Sequence, residues 1–185
     1  LRLRTARGTL EWTKGSLMIG QEQPLITGVD PVSLASVGVP GFTAAGNLWL
    51  WLPQIRGGIH TGGPIRFGLE GAVLAPTSGD PVEPFDTQFD PAERTRKPYL
   101  QAQVRMDWGE EERRGAVTLG THVGTLFNPA GAEVTSSAVA ATVRMPIGKR
   151  LELRGEAFDG QALRGLGGGG IAQGIGAVGV PVRTR

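Results

Sequence analysis

The sequence predicts an all-β protein: an antiparallel, up-and-down transmembrane β-barrel, of which this chain would supply eight or nine strands. Segments of about ten residues alternate apolar and polar side chains with a period of two, and a tilted strand of that length crosses a bilayer. The connections between these segments alternate between short and longer, as they do in such barrels. Gly accounts for 30 of the 185 residues, and helical periodicity is nearly absent. These observations together favour the barrel over other β architectures.

Composition excludes several other classes. The chain has no Cys, so it has neither disulfides nor a thiolate that could bind a metal or act as a nucleophile. No apolar run approaches the roughly 18 residues that a transmembrane helix needs. The net charge is +2 and the arginines are spaced singly, unlike the clustered cations of a nucleic-acid-binding protein. The chain begins inside an alternating pattern and ends without a closing signal, so we expect it to be part of a longer protein.

The first predicted hairpin spans residues 1–23, with its turn at 13–15. Arg2 and Arg4 alternate with leucines, yet Trp12 has the same parity as the two arginines. Either a bulge between them shifts the phase, or the two ends of the strand face differently.

The second predicted hairpin spans residues 47–75, with its turn at 60–64. Leu48–Leu52 is apolar at every position, which is typical of a strand covered on both sides. Pro53 argues against a regular ladder in that arm, since proline has no N–H to donate.

The third hairpin, at 99–124, has the strictest alternation, with a tight turn at 109–112. A fourth hairpin is predicted at 134–158, with its turn at 146–150. It is followed by a Gly-rich loop at 160–170 and a ninth strand over Ile171–Val180.

Two long segments, 24–46 and 75–97, are predicted to be external loops. The second is acidic and offers a weak Ca²⁺ candidate, although its prolines and spacing do not match an EF-hand loop. A solvated acidic loop, or a loop that folds inward and narrows a pore, is favoured over metal binding. Gly165–Gly170 formally contains G-x-G-x-x-G, but without a following helix it indicates a loop. The four candidate metal ligands are Asp80, Glu83, Asp86 and Asp90.

Three segments, RLRTARGTLEWTKGSLMIGQ (2–21), LPQIR (52–56) and LELRGEAFDGQALRGLGGGG (151–170), resemble bacterial outer-membrane porins, most nearly the DcaP-like porin group. The resemblance implies a larger barrel, a homotrimer in the bacterial outer membrane, of which this chain would be about half. It also implies passive diffusion of small solutes, with dicarboxylates as a plausible class. The strand count is lower than in a porin, and the terminal aromatic residue typical of such barrels is absent.

If the apolar side chains face lipid, the opposite face lines a water-filled lumen. Six arginines against four carboxylates would favour anions, because the guanidinium can bind a carboxylate through two parallel hydrogen bonds. The alternative is that these charges pair across neighbouring strands and fill a narrow barrel. The predicted lining residues are Arg2, Arg4, Arg66, Glu70, Gln101, Gln103, Arg105, Asp107, Arg144, Glu152, Arg154 and Glu156.

The sequence thus predicts a porin-like channel for small polar or anionic solutes, with membrane lipid as its surroundings and no cofactor. Three alternatives remain: a plugged barrel that binds an external partner, a soluble β-sandwich or lipocalin-like binder, and a barrel enzyme. The enzyme would need one of the two histidines, His60 or His122, close to Ser136 or Ser137 and to an acid, and nothing in the spacing brings a nucleophile and a base together. We therefore expect no catalysis.

Overall fold

The computed structural model describes residues 5–27, 48–80, 88–110, 113–167, 175–176 and 179–184. They form one antiparallel sheet in which every strand pairs with its neighbours in sequence. This confirms the predicted all-β, up-and-down order. The strands are β1 (Ala6–Trp12), β2 (Gly15–Glu22), β3 (Leu52–His60), β4 (Ile65–Leu74), β5 (Tyr99–Trp108), β6 (Gly115–Phe127), β7 (Glu133–Ile147), β8 (Leu151–Gln161) and the two-residue β9 (Arg183–Thr184).

Two short 3-10 helices, Glu93–Thr95 and Leu163–Leu166, lie in the connections. Among the residues described, no helix is long and apolar enough to cross a membrane.

The sheet is open. In the described part of the chain β1 pairs only with β2, and β9 pairs only with β8 over two residue pairs. What the structure establishes is therefore a single antiparallel meander of eight long strands, not closed into a barrel.

The strand bounds correct one prediction. Of the apolar run Leu48–Leu52, only Leu52 belongs to a strand. The backbone N–H groups of Trp49 and Leu50 instead donate to the carbonyl oxygen of Leu166, at 3.0 and 3.3 Å, and Leu48 is buried. The run is apolar because it packs under a loop and not because it is a strand between two layers.

Most of the predicted ninth strand, Ile171–Val180, lies outside the described residues. Of its described residues, Ile175 forms one isolated bridge to Pro181, and the short strand β9 follows at Arg183–Thr184.

The two faces of the sheet are reversed relative to a water-soluble protein. One face, here called the outer face, exposes large apolar side chains from all eight long strands. Their exposed fractions run from 37% at Met145 to 65% at Leu10. The residues are Leu10, Trp12, Leu17, Ile19, Ile55, Ile59, Ile65, Phe67, Leu69, Val73, Leu100, Val104, Val117, Leu119, Val123, Val139, Met145, Ile147, Leu151 and Leu153.

The opposite, inner face is polar, and it is covered along the central strands but exposed on β1 and at Arg154 and Glu156 of β8. Gln54, Gln103 and Thr118 are buried on it, in strands whose apolar side chains are exposed on the other side. A single cavity of about 340 Å³ is lined both by Arg7 of β1 and by Thr142 of β7. In a flat sheet those strands would lie roughly 29 Å apart, at about 4.8 Å per strand. The sheet therefore curls around its inner face.

The apolar core lies on the inner face at one end of the sheet. We call this the loop end, because the connections 23–51, 75–98, 128–132 and 162–182 are there. The other end, with the connections 13–14, 61–64, 109–114 and 148–150, is the turn end. At the loop end Ile26, Leu163 and Leu166 of the connections pack with Leu74 and Tyr99 of the strands.

Candidate functional site: the polar inner face

Five of the predicted lining residues meet on β4 and β5, near the turn end. The register places Arg66 opposite Asp107, and Glu70 opposite Gln103. The Arg105 guanidinium donates from Nε to both oxygens of Asp107, at 2.9 and 2.8 Å, and from Nη2 to Oδ1 at 2.7 Å. Arg66, Glu70, Arg105 and Asp107 line a polar cavity of about 300 Å³.

A second cavity, of about 340 Å³, lies beside the first on the side of the loop end. Glu70 and Arg105 line both cavities, so the two meet there. Threonine hydroxyls of β6 and β7 complete its wall, with 2.6 Å between the Oγ1 atoms of Thr118 and Thr142. The inner face thus carries a continuous polar depression across seven strands.

Arg56 is a functional candidate that the sequence prediction missed. Its Nη2 donates to the Gln23 carbonyl oxygen at 2.7 Å and to Gln54 Oε1 at 3.0 Å. Its Nε has no hydrogen-bond partner among the described residues, although it is buried beside the second cavity. Gln54 and Arg56 alternate with apolar residues, a signal that the proline at position 53 obscured.

Arg7 was missed as well. It lies on β1 and forms an ion pair with Glu22 of β2 on the inner face. Arg2 and Arg4, which the sequence favoured instead, lie outside the described residues.

The β7–β8 residues form a separate charged group. Arg144 and Arg154 stand directly opposite each other, and Glu152 accepts from both, at 2.9 Å from Arg144 Nε. One carboxylate between two guanidinium groups offsets the repulsion that like charges opposite each other would otherwise produce. Glu156 stands opposite Thr142 on the same face.

The inner face of β1–β8 carries equal numbers of the two charges. The arginine excess that favoured anions in the sequence is therefore absent from these strands. The cations are Arg7, Arg56, Arg66, Arg105, Arg144 and Arg154, and the carboxylates are Glu11, Glu22, Glu70, Asp107, Glu152 and Glu156.

Gln101 takes part in a different arrangement, a buried chain of hydrogen bonds with a fixed direction. The Ile26 N–H donates to Gln101 Oε1 at 3.4 Å, so the Gln101 amide nitrogen donates to His122 Nδ1 at 3.2 Å. His122 Nε2 then carries the proton and donates to Ser136 Oγ at 3.1 Å. Ser136 Oγ donates to the Ala162 carbonyl oxygen at 3.0 Å.

The fold therefore brings Ser136 and His122 together, which the spacing in sequence did not indicate. The imidazole presents an N–H to the hydroxyl, however, whereas a general base would present a lone pair. Ser136 is also only 1% exposed. This arrangement ties two loops to the sheet, since the hydrogen bonds end on Ile26 and Ala162.

The inward-folded loops occupy the loop end of the inner face. Tyr99 donates its hydroxyl proton to the Thr77 carbonyl oxygen at 2.8 Å. At Gly165 a Cβ atom would lie 1.8 Å from that same oxygen, so only glycine fits this close approach. The polar depression is open toward the turn end and covered toward the loop end.

The predicted acidic metal loop is not assembled in the described residues. Asp80 forms an ion pair with Arg164 at 2.7 Å, while Asp90 accepts from the N–H and hydroxyl of Ser78, each at 2.8 Å. Glu83 and Asp86 lie outside the described residues. Within the described part of the chain, no three His, Cys, Asp or Glu side chains form a group that could hold a metal ion.

Comparison with known proteins adds no family to this description. No family model matches the chain, and no curated protein or solved structure is significantly similar to it. The resemblance to the DcaP-like porin group stays a prediction from three sequence segments.

Proposed function

We propose that this chain forms part of the wall of an outer-membrane β-barrel, with its outer face in lipid. Its inner face would line a water-filled path for small polar or anionic solutes. The observation that supports the proposal is the reversed burial of the central strands, with apolar side chains exposed on one face and polar ones, such as Gln54, Gln103 and Thr118, buried on the other.

The outer face would be unfavourable in water. Monomeric soluble proteins rarely expose contiguous apolar patches of more than a few hundred Å². Here the ladder Ile19–Ile55–Val73–Leu100–Val123 alone crosses five strands, and each of these side chains is at least 46% exposed. Hydrocarbon tails would cover this face at no such cost, and they favour apolar side chains at alternate positions of every strand.

The proposal requires further strands at both edges of the sheet. An open edge leaves backbone N–H and C=O groups unpaired, and lipid offers them no hydrogen-bond partner. The additional strands would come from chain beyond this sequence or from other copies.

Single-cysteine labelling tests which face meets lipid. The chain contains no cysteine, so each introduced thiol is unique. Val104→Cys would carry a nitroxide on the outer face, and the adjacent Gln103→Cys would carry one on the inner face. In vesicles we expect the label at 104 to be relaxed by oxygen and the label at 103 by a water-soluble nickel complex. Equal access of the nickel complex to both labels would contradict the proposal.

A plugged, non-conducting barrel is the second candidate, and the loops packed on the inner face favour it. Planar-bilayer recordings of the full-length protein separate the two. Leu163 and Leu166 are fully buried between the loop and the sheet. If the loops close the path, Leu163→Asp should raise the conductance of an otherwise silent protein, while Leu151→Asn at the turn end should not. An open wild-type protein that Leu163→Asp leaves unchanged would indicate that the loops do not control passage.

A further inference from the structure

A groove runs along the outer face at the loop end of the sheet. Its floor is the cross-strand row Ile19, Ile55 and Val73, and its volume is about 720 Å³, in the range of small-molecule sites. The connections 75–80 and 88–98 rise beside the floor and contribute Ala75, Phe89 and Pro98 to the walls. Phe89 is 74% exposed. A flat lipid-facing sheet has no such wall, so this region could hold one molecule in place.

Cations line the rim of the groove. The segment Glu93–Lys97, with the sequence ERTRK, holds three basic residues and one acidic residue. Arg96 and Lys97 line the groove together with Glu93, so its charge there is a net +1, and within the described residues no ion pair or hydrogen bond engages the Arg96 guanidinium. Lys97 Nζ lies 2.6 Å from Glu133 Oε2 in an exposed pair, which contributes little stability and leaves the ammonium free to bind a second anion.

Arg96 has an unfavourable backbone conformation for its side chain. Its φ is 56°, in the left-handed region, where glycine is the usual residue at the end of a helix. Ala162 has nearly the same φ, 54°, beside the other 3-10 helix, so the conformation belongs to these helix ends.

We propose that this groove binds a phosphorylated acyl lipid of the surrounding membrane. The acyl chain would lie on Ile19, Ile55 and Val73 against Phe89, and the phosphate would accept hydrogen bonds from Arg96 and Lys97. The inference rests on the proposed membrane function, because it takes the outer face to be in lipid. An apolar floor next to paired cations matches this amphiphile better than a neutral lipid or a free anion.

Native mass spectrometry of the full-length protein tests the site. The protein would be held in non-ionic detergent with about two equivalents of dipalmitoyl phosphatidic acid, and the fraction retaining one lipid would be measured. The double substitution Arg96→Gln, Lys97→Gln should lower retention by at least about a hundredfold, the effect of losing two charged hydrogen bonds. Lys149→Gln, Arg150→Gln removes an adjacent cation pair at the turn end and should have no effect.

A second pair of variants tests the groove itself. Ala75→Trp would fill it and should abolish retention, whereas Ala102→Trp places the same side chain elsewhere on the outer face. Equal retention of phosphatidylcholine, or equal retention in all four variants, would overturn the site. So would inorganic phosphate that the wild type retains as strongly as the lipid, since the apolar floor would then contribute nothing to binding.

Flotation with pure phosphatidylcholine vesicles keeps the two proposals apart. A wild-type protein that fails to insert, yet retains phosphatidic acid through Arg96, would contradict the membrane proposal and support the lipid site. A protein that inserts, but whose lipid retention does not depend on Arg96 or Ala75, would support the membrane proposal and contradict the lipid site.

Discussion

Tyr99 and Gly124 show how single residues shape the inner face. The Tyr99 side chain is 1% exposed and lies across the backbone of β6, where a Cβ at Gly124 would be 2.2 Å from its Cδ1 atom. The ring also packs edge-on against His122, with 5.0 Å between the ring centroids. A glycine within a strand is thus needed where an aromatic ring covers it.

We expect Gly124→Ala to destabilise the protein by about 1–3 kcal/mol, because the added methyl group overlaps a ring that cannot move away from its hydrogen bond to Thr77. Denaturant unfolding in detergent would measure this. Gly71→Ala is the matched control, since its Cβ would have nothing closer than 3.8 Å. Equal stability of the two variants would mean that the ring is not fixed over Gly124.

His122 gives a second prediction at this scale. His122→Phe keeps the ring but leaves the Gln101 amide and the Ser136 hydroxyl buried without their partner, which should cost at least about 2 kcal/mol. Hydrogen exchange should then accelerate at the Ile26 amide. His60→Phe, at an exposed position, should change neither quantity. Unchanged protection at Ile26 would show that the loop is held by packing alone.

Most of the inner face could be predicted residue by residue, and the exceptions have physical reasons. Gln103 and Arg105 follow from strict alternation in β5. Arg56 did not, because a proline in the same strand weakened the pattern that would have identified it. The Ser136–His122 contact depends on strand register, which a single strand's sequence does not contain.

At the scale of elements, the proposed contact of the outer face with lipid predicts that the cost of a charged side chain depends on its depth in the bilayer. Val104 lies in the middle of β5 and Ile147 at the turn-end limit of β7, both on the outer face. In vesicles Val104→Arg should lower the free energy of unfolding by about 2–4 kcal/mol, and Ile147→Arg by about 0–1 kcal/mol. Two small, equal effects would indicate that this face meets water.

The hairpins were the most predictable elements because their signal is local. Alternation of period two, interrupted by a short polar turn, predicted both ends of β5 and the position of β6, although β6 runs three residues beyond its predicted end, to Phe127. The prediction of a strand at Leu48–Leu52 was wrong for the opposite reason. An apolar stretch without alternation can be a covered strand or a covered loop, and only tertiary packing distinguishes the two.

At the scale of the whole molecule, the balanced charges of the inner face bear on ion selectivity. The inner face of β1–β8 carries equal numbers of arginines and carboxylates. Where these strands line the proposed solute path, we expect it to favour neither anions nor cations strongly. Arg105→Glu and Arg154→Glu should each shift the reversal potential in a salt gradient toward cations, since a positive group is replaced by a negative one. The control Lys149→Glu lies in the turn between β7 and β8. An unchanged potential in both variants would place their side chains away from the ion path.

Whether the sheet closes into a barrel is a property of the whole molecule that local sequence patterns do not predict. Alternation predicts which way each side chain points, but the number of strands that complete a barrel depends on tilt and stagger across the entire sheet. The curl is visible only once Arg7 and Thr142 are found around one cavity.

The strictly sequential pairing of the strands has an evolutionary consequence. Every ladder joins neighbours in the chain, so adding or removing one hairpin would leave all the other pairings, and the sidedness of every strand, unchanged. Duplication of a hairpin-sized stretch of the gene would therefore widen the sheet by two strands in a single step. A lineage built on this plan could change the width of its sheet without redesigning any existing strand.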